Sequence, residues 1–239
     1  MTIMRSYVIG DIHGCPDELV YLVQALPLES GDRLVFLGDY IDRGPDSSGV
    51  ISFLLELQKD RGAYEFVFLK GNHEDMLLSY LGLAGQHGDM FLFNGGKATL
   101  ASYGFSKAEI PSHEALSLIP SAHMDFYRNL LTYYVMEPFL CVHAGIHPLK
   151  PLKDQTESEL FWIRNQFIYS PHTLAYTVLF GHTPQHDVFY DLPYKVGLDT
   201  GLVYGNKLTC LETTEKVLYQ IQRGKRAVKR VSIESRWPT

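Results

Sequence analysis

The chain has 239 residues, of which 46% are hydrophobic, 13% aromatic and 20% charged. This composition supports a buried core and excludes an intrinsically disordered chain, a collagen-like fibre and a repeat solenoid. Lys and Arg total 21 against 27 Asp and Glu, which gives a net charge of -6. Such a balance argues against a nucleic-acid-binding protein, because contacts with the phosphate backbone require a basic face.

The cysteines and the N-terminal segment favour a soluble protein of a reducing compartment. Cys15, Cys141 and Cys210 are widely spaced and form no CxxC pair, so neither a zinc knuckle nor a CxxC redox motif is expected. The opening MTIMRSYVIGDIHG carries one basic residue and only a short apolar run, unlike a signal peptide. Because the sequence lacks an apolar run of about 18 residues, we expect a cytoplasmic protein with no membrane partner.

Short apolar runs that end in glycine and a polar residue alternate with amphipathic segments over the first third of the chain. Strands are predicted at Tyr7–Ile9, Leu34–Leu37 and Phe66–Leu69. One helix is predicted from Pro16, and a second follows Pro45-Asp46-Ser47-Ser48, with aspartate or serine as its cap. This βαβαβ order predicts parallel strands with right-handed crossovers, and ligands of such sheets bind beyond the carboxyl ends of the strands.

The rest of the chain is predicted to be helical first and rich in strands later. Residues 75–132 carry helical patterns broken by glycines and are expected to form a surface cap over one side of a cleft. A helix is predicted over Glu157–Phe167. Further strands are predicted at Tyr133–Met136, Phe139–Val142, Tyr176–Phe180, Lys195–Leu198, Lys207–Leu211 and Val217–Ile221. This order predicts a single α/β domain over residues 1–239, with a mixed sheet or two packed sheets and helices outside.

Five polar clusters follow predicted strands, and each combines a glycine with a potential metal ligand. They are GDIHG at 10–14, GDYIDRG at 38–44, GNHE at 71–74, HAG at 143–145 and GHTP at 181–184. Glycine lets the backbone approach a ligand closely, while the strand fixes where the side chain starts. One such cluster is usually a turn or a helix cap, but five at strand ends indicate a site. The donors are carboxylate, imidazole and amide groups without a thiolate, which suits manganese or iron better than a structural zinc site.

Together, the five clusters resemble the motifs of the metallophosphoesterase superfamily, and in particular those of the bacterial and phage-type phosphoprotein phosphatase (PPP) family. The resemblance extends from Gly10 to Pro184. It implies a calcineurin-like metallophosphoesterase fold of class α/β, in which two packed mixed β-sheets are flanked by helices in four αββα layers. Residues 75–132 would be a helical cap inserted in that domain.

The resemblance also implies two divalent metal ions, with manganese as the first expectation and iron or zinc as alternatives. Asp11 and His13 are expected to bind one ion, Asn72, His143 and His182 the other, and Asp39 both. In a two-metal site of this kind, the ions lie about 3.5–4 Å apart and hold a solvent oxygen that attacks phosphorus directly, without a phosphoenzyme.

Four further residues are expected to handle the proton and the phosphate group. His73 is the candidate general acid for the leaving group, and Asp42 is the carboxylate that holds it protonated. Arg43 offers a planar fork to phosphate oxygens. Because Trp162-Ile163-Arg164 resembles the Trp-x-Arg segment of the phage-type enzymes, Arg164 is expected to be the second phosphate-binding arginine.

Three functions are weighed. The first is dephosphorylation of phosphoserine and phosphothreonine, with phosphotyrosine or a small phosphoester as further substrates. The second is a symmetrical diadenosine tetraphosphatase or another nucleotide pyrophosphohydrolase, which GDIHGCPDEL and Leu198–Gly201 resemble. Those enzymes commonly lack the aspartate of GDxxDRG, so Asp42 favours an ester with a poor leaving group and hence the first function. The third is a non-catalytic phosphate-binding module, which the filled catalytic positions disfavour.

Overall fold

The computed structural model describes residues 4–60, 62–105 and 111–237. The strands are β1 (Ser6–Ile9), β2 (Arg33–Phe36), β3 (Glu65–Phe68), β4 (Tyr133–Met136), β5 (Phe139–Val142), β6 (Thr177–Phe180), β7 (Phe189–Asp191), β8 (Lys195–Gly197), β9 (Lys207–Glu212), β10 (Val217–Gln222) and β11 (Val228–Ser232). The helices are α1 (Pro16–Ala25), α2 (Ser47–Leu57), α3 (Asn72–Tyr80), α4 (Lys97–Ser102), α5 (Ser112–Leu118), α6 (Ser121–Arg128), α7 (Glu157–Trp162) and α8 (Asn165–Ile168).

The first sheet has a parallel half and an antiparallel half, in the order β11-β10-β9-β1-β2-β3. β1, β2 and β3 run parallel, with Tyr7 opposite Leu34 and Leu34 opposite Phe66. Helices α1 and α2 connect them, as the predicted βαβαβ order requires. β9 pairs antiparallel with β1, and β10 and β11 continue this antiparallel half to the sheet edge.

The second sheet is also mixed, in the order β4-β5-β6-β8-β7. Its three central strands, β5, β6 and β8, run parallel, whereas β4 and β7 pair antiparallel at the two edges. In both sheets, therefore, the parallel strands end at the edge where the polar clusters begin.

The two sheets pack face to face and carry helices on both outer faces. Along β1, Val8 belongs to the core between the sheets, whereas Tyr7 and Ile9 belong to the core on the helical side. This two-residue alternation places apolar side chains on both faces of a buried strand. Val8 shares its cluster with Cys141 and Leu179 of the second sheet. Helices α1 to α3 contribute to the outer core of the first sheet, and α7 and α8 contribute to that of the second. The four-layer αββα arrangement is confirmed.

The helices of the predicted cap contribute to the outer core of the first sheet. Phe91, Leu100 and Tyr127 are fully buried in the same cluster as Leu19 of α1. The role of residues 75–132 as a cap stays a prediction, and residues 106–110 of that segment lie outside the described residues.

The structure differs from the sequence predictions in two places. The single helix predicted over Glu157–Phe167 is broken, because Ile163 is extended and Arg164 has φ -132° and ψ -101°, so α7 ends and α8 begins there. Strands β7 and β11 were not predicted, since their residues are mostly half-buried or exposed and lack a clear apolar alternation.

Within the described part of the chain, no helix combines the length and apolar character needed to cross a membrane.

Candidate metal centre

A buried polar cluster lies where the parallel strands of the two sheets end. Six strands are each followed within three residues, or for β3 within four, by a buried polar side chain. These side chains are Asp11, Asp39, Asn72, His143, His182 and Asp199. All six side chains belong to residues that are at most 6% exposed. Five of them are predicted metal ligands, and the sixth predicted ligand, His13, lies in the same loop as Asp11 and is 4% exposed.

The Asp39 carboxylate lies between two sets of potential ligands. His13 Nε2 is 3.5 Å from its Oδ2, and His143 Nε2 is 3.3 Å from its Oδ1. The ligand atoms of His13, Asp39 and His73 lie within 4.8 Å of one another, and so do those of Asp39, His143 and His182. Asp39 is the one residue common to both groups, which is the position expected of a bridging ligand.

Asn72 and Asp11 complete the two sets. Asn72 Oδ1 is 3.0 Å from His143 Nε2 and 2.9 Å from His182 Nδ1. The Asp11 carboxylate accepts the backbone N–H of His182, at 3.2 Å and 3.0 Å for its two oxygens. The structure thus brings together all six predicted ligands from loops that are up to 171 residues apart in sequence.

The tautomers of two histidines are fixed by backbone carbonyls. His13 Nδ1 is 2.8 Å from the Ile41 carbonyl oxygen, and His143 Nδ1 is 2.8 Å from that of Leu37. Because a carbonyl only accepts, the proton lies on Nδ1 and the lone pair on Nε2 of each ring. Metal-binding histidines commonly hold their second nitrogen in this way.

These lone pairs test whether the residues fit a cation. The Nε2 lone pair of His143 faces two oxygen acceptors, on Asn72 and Asp39. Since the ring proton is on Nδ1, none of these three atoms can donate a hydrogen bond to the others, and a cation between them would satisfy all three. His182 Nε2 is buried without a hydrogen-bond partner among the described residues. At His13, the Nε2 lone pair accepts a hydrogen bond from the positively charged Arg43 guanidinium, with 2.6 Å between Nη1 and Nε2. Oxygen and imidazole donors arranged in this way fit hard or borderline divalent ions.

The electrostatics of the cluster agree with this fit. Burial lowers the pKa of His13 to about 3 and also lowers the pKa of His143 and His182, so the rings are neutral and able to ligate. Burial, Asp199 and Asp39 raise the pKa of Asp11. Burial raises the pKa of Asp199 to about 6. Carboxylates buried this close together are costly unless positive charge compensates them.

His73 and Asp42 form a separate buried pair beside the ligands. His73 Nδ1 is 2.5 Å from Asp42 Oδ2, and Asp42 Oδ1 accepts a hydrogen bond of 2.5 Å from the Thr99 hydroxyl. Burial alone would lower the pKa of His73, but Asp39 and the hydrogen bond to Asp42 raise it above its ordinary value. This favours the charged form of His73, which carries a proton on both nitrogens as a general acid requires.

The backbone around these side chains is strained. Among the described non-glycine residues, positive φ angles occur at His13 (46°), Asp39 (52°), Asp42 (73°), Arg43 (67°) and His182 (64°), and elsewhere only at His87 and Lys216. Positive φ is costly for residues with a Cβ atom, and such strain concentrates at functional sites. The five strained residues coincide with predicted site residues.

Two glycines leave room that the cluster requires. A Cβ atom on Gly181 would lie 2.1 Å from Asp11 Oδ1, so the carboxylate occupies the space of a side chain. Gly38 has φ +103°, and its Cβ atom would lie 2.6 Å from the Gly71 nitrogen, where two ligand loops touch. Both positions agree with the expectation that glycine permits close approach.

Three residues of the cluster were not assigned from the sequence. Glu74 accepts backbone N–H groups of Asp39, Tyr40 and Gly71 at 2.8–3.0 Å and so joins two ligand loops. Asp199 comes two residues after β8, just as the candidate ligands follow their strands. Its place after a predicted strand is the sequence feature that could have identified it. Thr99, which holds Asp42, lies 57 residues away from it and has no sequence signature.

The two predicted phosphate-binding arginines lie near different groups of potential ligands. Arg43 contacts His13, and its guanidinium lies 5.7 Å from the centre of the Tyr204 ring. Arg164 is exposed at the break between α7 and α8, and its charge helps to lower the pKa of His143 and His182. Arg164 is therefore near the second group of ligands and accessible from solvent.

Comparison with known proteins agrees with this geometry. A family model for calcineurin-like phosphoesterases matches residues 4–211. A bis(5'-nucleosyl)-tetraphosphatase PrpE (asymmetrical) from Oceanobacillus iheyensis is 27% identical, over 89% of this chain and 90% of its own. A protein of the same name from Anoxybacillus flavithermus is 28% identical, over 87% and 90%.

Two solved structures share the fold. One, described as "a putative diadenosine tetraphosphatase", has a TM-score of 0.67 at 24% identity and covers 92% of this chain and 94% of its own. A cold-active protein tyrosine phosphatase has a TM-score of 0.64 at 17% identity and covers 96% and 79%. Since the family model spans most of the sequence, this chain belongs to the calcineurin-like phosphoesterase family.

Proposed function

We propose that the buried cluster holds two divalent cations that share the Asp39 carboxylate. Asp11 and His13 would bind the first ion with Asp39, and Asn72, His143 and His182 would bind the second. His73 also lies within reach of the first group, but a protonated imidazole cannot ligate, so we assign it a different role. The observation that carries this proposal is the position of Asp39 in both groups of potential ligands.

When bound, such a pair of cations lowers the pKa of water and neutralises charge on the phosphoryl oxygens. The remaining steps belong to side chains of this protein. His73 donates its Nε2 proton to the departing oxygen, while Asp42 and Thr99 hold the ring in place. Arg43 and Arg164 bind the phosphate from opposite sides, and manganese, iron or zinc suits the oxygen and nitrogen donors.

We infer that the substrate is a dinucleoside polyphosphate that is cleaved into unequal parts. The support comes from the two PrpE relatives, whose names state this activity and which align with this chain over about nine-tenths of their length. This inference favours nucleotide hydrolysis, the second function predicted from the motifs, over dephosphorylation of proteins, the first. It also replaces symmetrical with asymmetrical cleavage, so the expected products are a nucleoside monophosphate and a nucleoside triphosphate.

A second candidate is hydrolysis of phosphomonoesters, including phosphoserine and phosphothreonine. It is favoured by the His73–Asp42 pair, because an alkoxide leaving group needs a proton far more than a nucleoside triphosphate does. The two candidates share the same metal centre and differ in the leaving group.

The deciding experiment compares turnover of diadenosine tetraphosphate, a phosphoserine peptide and a phosphotyrosine peptide in one manganese-containing buffer. We expect kcat/KM to be highest on the tetraphosphate, with AMP and ATP as products. EDTA and the Asp39→Asn substitution should each abolish turnover of every substrate. A higher kcat/KM on the phosphoserine peptide would favour the second candidate, and turnover that survives EDTA would contradict the metal centre itself.

A further inference from the structure

A basic groove lies along strands β9, β10 and β11 and the loops beside them. Its volume is about 560 Å³, and it is lined by four cations and by carboxamides, namely Lys207, Lys225, Arg226, Lys229, Gln220 and Gln222. No acidic side chain is among the described residues that line it. A local excess of positive charge on a chain of net charge -6 indicates an anionic ligand.

The groove lies at the same sheet edge as the metal ligands. Because β9 runs antiparallel to β1, its first residue, Lys207, lies beyond the end of β1, where the Asp11 loop begins. Gln222, the last residue of β10, pairs with Lys207, so the groove end of β10 reaches this edge too. The topology thus places the groove beside the ligand loops.

Tyr204 connects the groove with the phosphate-binding residues. Tyr204 is 63% exposed, and the centre of its ring lies 5.7 Å from the Arg43 guanidinium. Asn206 also lines the groove and follows Tyr204 by two residues, so the groove begins within about 7 Å of Tyr204 along the chain. Asn206 Nδ2 donates to the carbonyl oxygen of His186, four residues after the ligand His182, at 2.8 Å. A molecule bound at Arg43 can therefore continue past Tyr204 into the groove.

Two of the four basic side chains in the groove interact with other side chains, and the other two are exposed. Lys207 forms an ion pair of 2.8 Å with Asp187, and the Arg226 guanidinium lies 5.5 Å from the centre of the Tyr21 ring. Lys225 and Lys229 are exposed and form no ion pair within residues 4–60, 62–105 and 111–237. Their charges face the groove, and none of the described acidic side chains is paired with them.

We propose that the groove binds the triphosphate end of the substrate and thereby sets which phosphate is attacked. This inference rests on the proposed dinucleoside polyphosphate function. Water attacks the phosphorus next to one nucleoside, releases a proton to solvent and leaves its oxygen on the monophosphate product, while the bond from that phosphorus to the bridging oxygen breaks. The triphosphate leaves with the bonding electron pair. Because the structure places a basic groove on the Tyr204 side, three phosphates extend to that side and cleavage is unequal.

The test uses the Lys225→Ala/Lys229→Ala double variant with Arg230→Ala as its matched control. Arg230 is the next residue on β11, but it points away from the groove and pairs with Glu215. The first measurement is inhibition of p-nitrophenyl phosphate hydrolysis by ATP, with manganese in excess over ATP. The second is kcat and KM for diadenosine tetraphosphate. Because p-nitrophenyl phosphate is too short to reach the groove, its own kcat/KM serves as the folding control.

We expect the double variant to raise the inhibition constant of ATP and the KM for diadenosine tetraphosphate by about five- to tenfold, as two exposed charge contacts would. Turnover of p-nitrophenyl phosphate should stay unchanged in both variants, and Arg230→Ala should change neither constant. An unchanged inhibition constant in the double variant overturns the groove assignment, whatever the natural substrate is. A raised inhibition constant in an enzyme that does not cleave diadenosine tetraphosphate keeps the triphosphate site and overturns the proposed function.

Discussion

Replacing Asp42 with asparagine tests whether His73 acts as the general acid. The two side chains are buried, at 0% and 1% exposure, and the Oδ2–Nδ1 distance is 2.5 Å. Asparagine keeps the size of the side chain and can keep the hydrogen bond from Thr99, but it removes the negative charge. A hydrogen bond to a charged group contributes about 1.5–3 kcal/mol and a neutral one about 0.5–1.5 kcal/mol. The protonated form of His73 thus loses about 1–1.5 kcal/mol, which corresponds to roughly tenfold in rate.

The assay compares two small esters that differ in the basicity of the leaving group. Phenol, like the tyrosine side chain, has a pKa of about 10, whereas p-nitrophenol is much more acidic and leaves without a proton. We expect Asp42→Asn to lower kcat/KM about tenfold on phenyl phosphate and far less on p-nitrophenyl phosphate. Replacing His73 itself with asparagine should cost about 10²–10⁴ on phenyl phosphate.

The matched control is Asp46→Asn, which makes the same chemical change at the N-cap of α2. Asp46 accepts the Gly49 N–H, and asparagine is an equally good cap, so activity and stability should stay unchanged. Equal losses on the two esters in Asp42→Asn would refute the reasoning, because they would indicate a general disturbance of the site and not a missing proton.

Three further predictions concern binding, packing and pH. Arg164→Ala should lower kcat/KM at least tenfold on every substrate, with partial recovery in Arg164→Lys, since lysine keeps the charge but loses the planar fork; an unchanged value would exclude Arg164 from phosphate binding. Gly38→Ala should lower the free energy of unfolding by about 1–3 kcal/mol in urea titrations, because φ is +103° and the new Cβ atom would overlap the Gly71 nitrogen, whereas Gly62→Ala meets open space and should cost little. Burial lowers the pKa of His123 from its ordinary 6.5, so its neutral form is the stabilised one; wild-type stability should fall relative to His123→Gln as the pH drops below 6.5, and a constant difference between pH 7.5 and 5 would contradict this.

The convergence of the candidate ligands was predictable because parallel strands end at a common edge. Ile9, Phe36 and Phe68 end strands that lie side by side, so the polar residues that follow them must converge, however far apart they are in sequence. Burial on both faces makes such strands continuous apolar runs, which are easy to recognise. The same reasoning applies to Asp199 after β8, although the short strand Lys195–Gly197 gives a weaker signal.

Residues that act by supporting others could not be found in the same way. Thr99 reaches Asp42 only because α4 packs against α2. The sequences of the two helices contain no pattern that predicts this contact. The groove depends on β11, in which Lys229 and Arg230 point to opposite sides of an exposed strand. An exposed strand has little apolar periodicity, so tertiary pairing with β10 decides its conformation.

The central claim is that Asp39 joins two cations in one buried centre. Crystals grown with excess manganese and measured at its absorption edge test this most directly. We predict two anomalous peaks about 3.5–4 Å apart, with one Asp39 oxygen or both between them, His13 on one side and His143 on the other. A single peak, or two peaks of which one lies away from Asp39, would contradict the account.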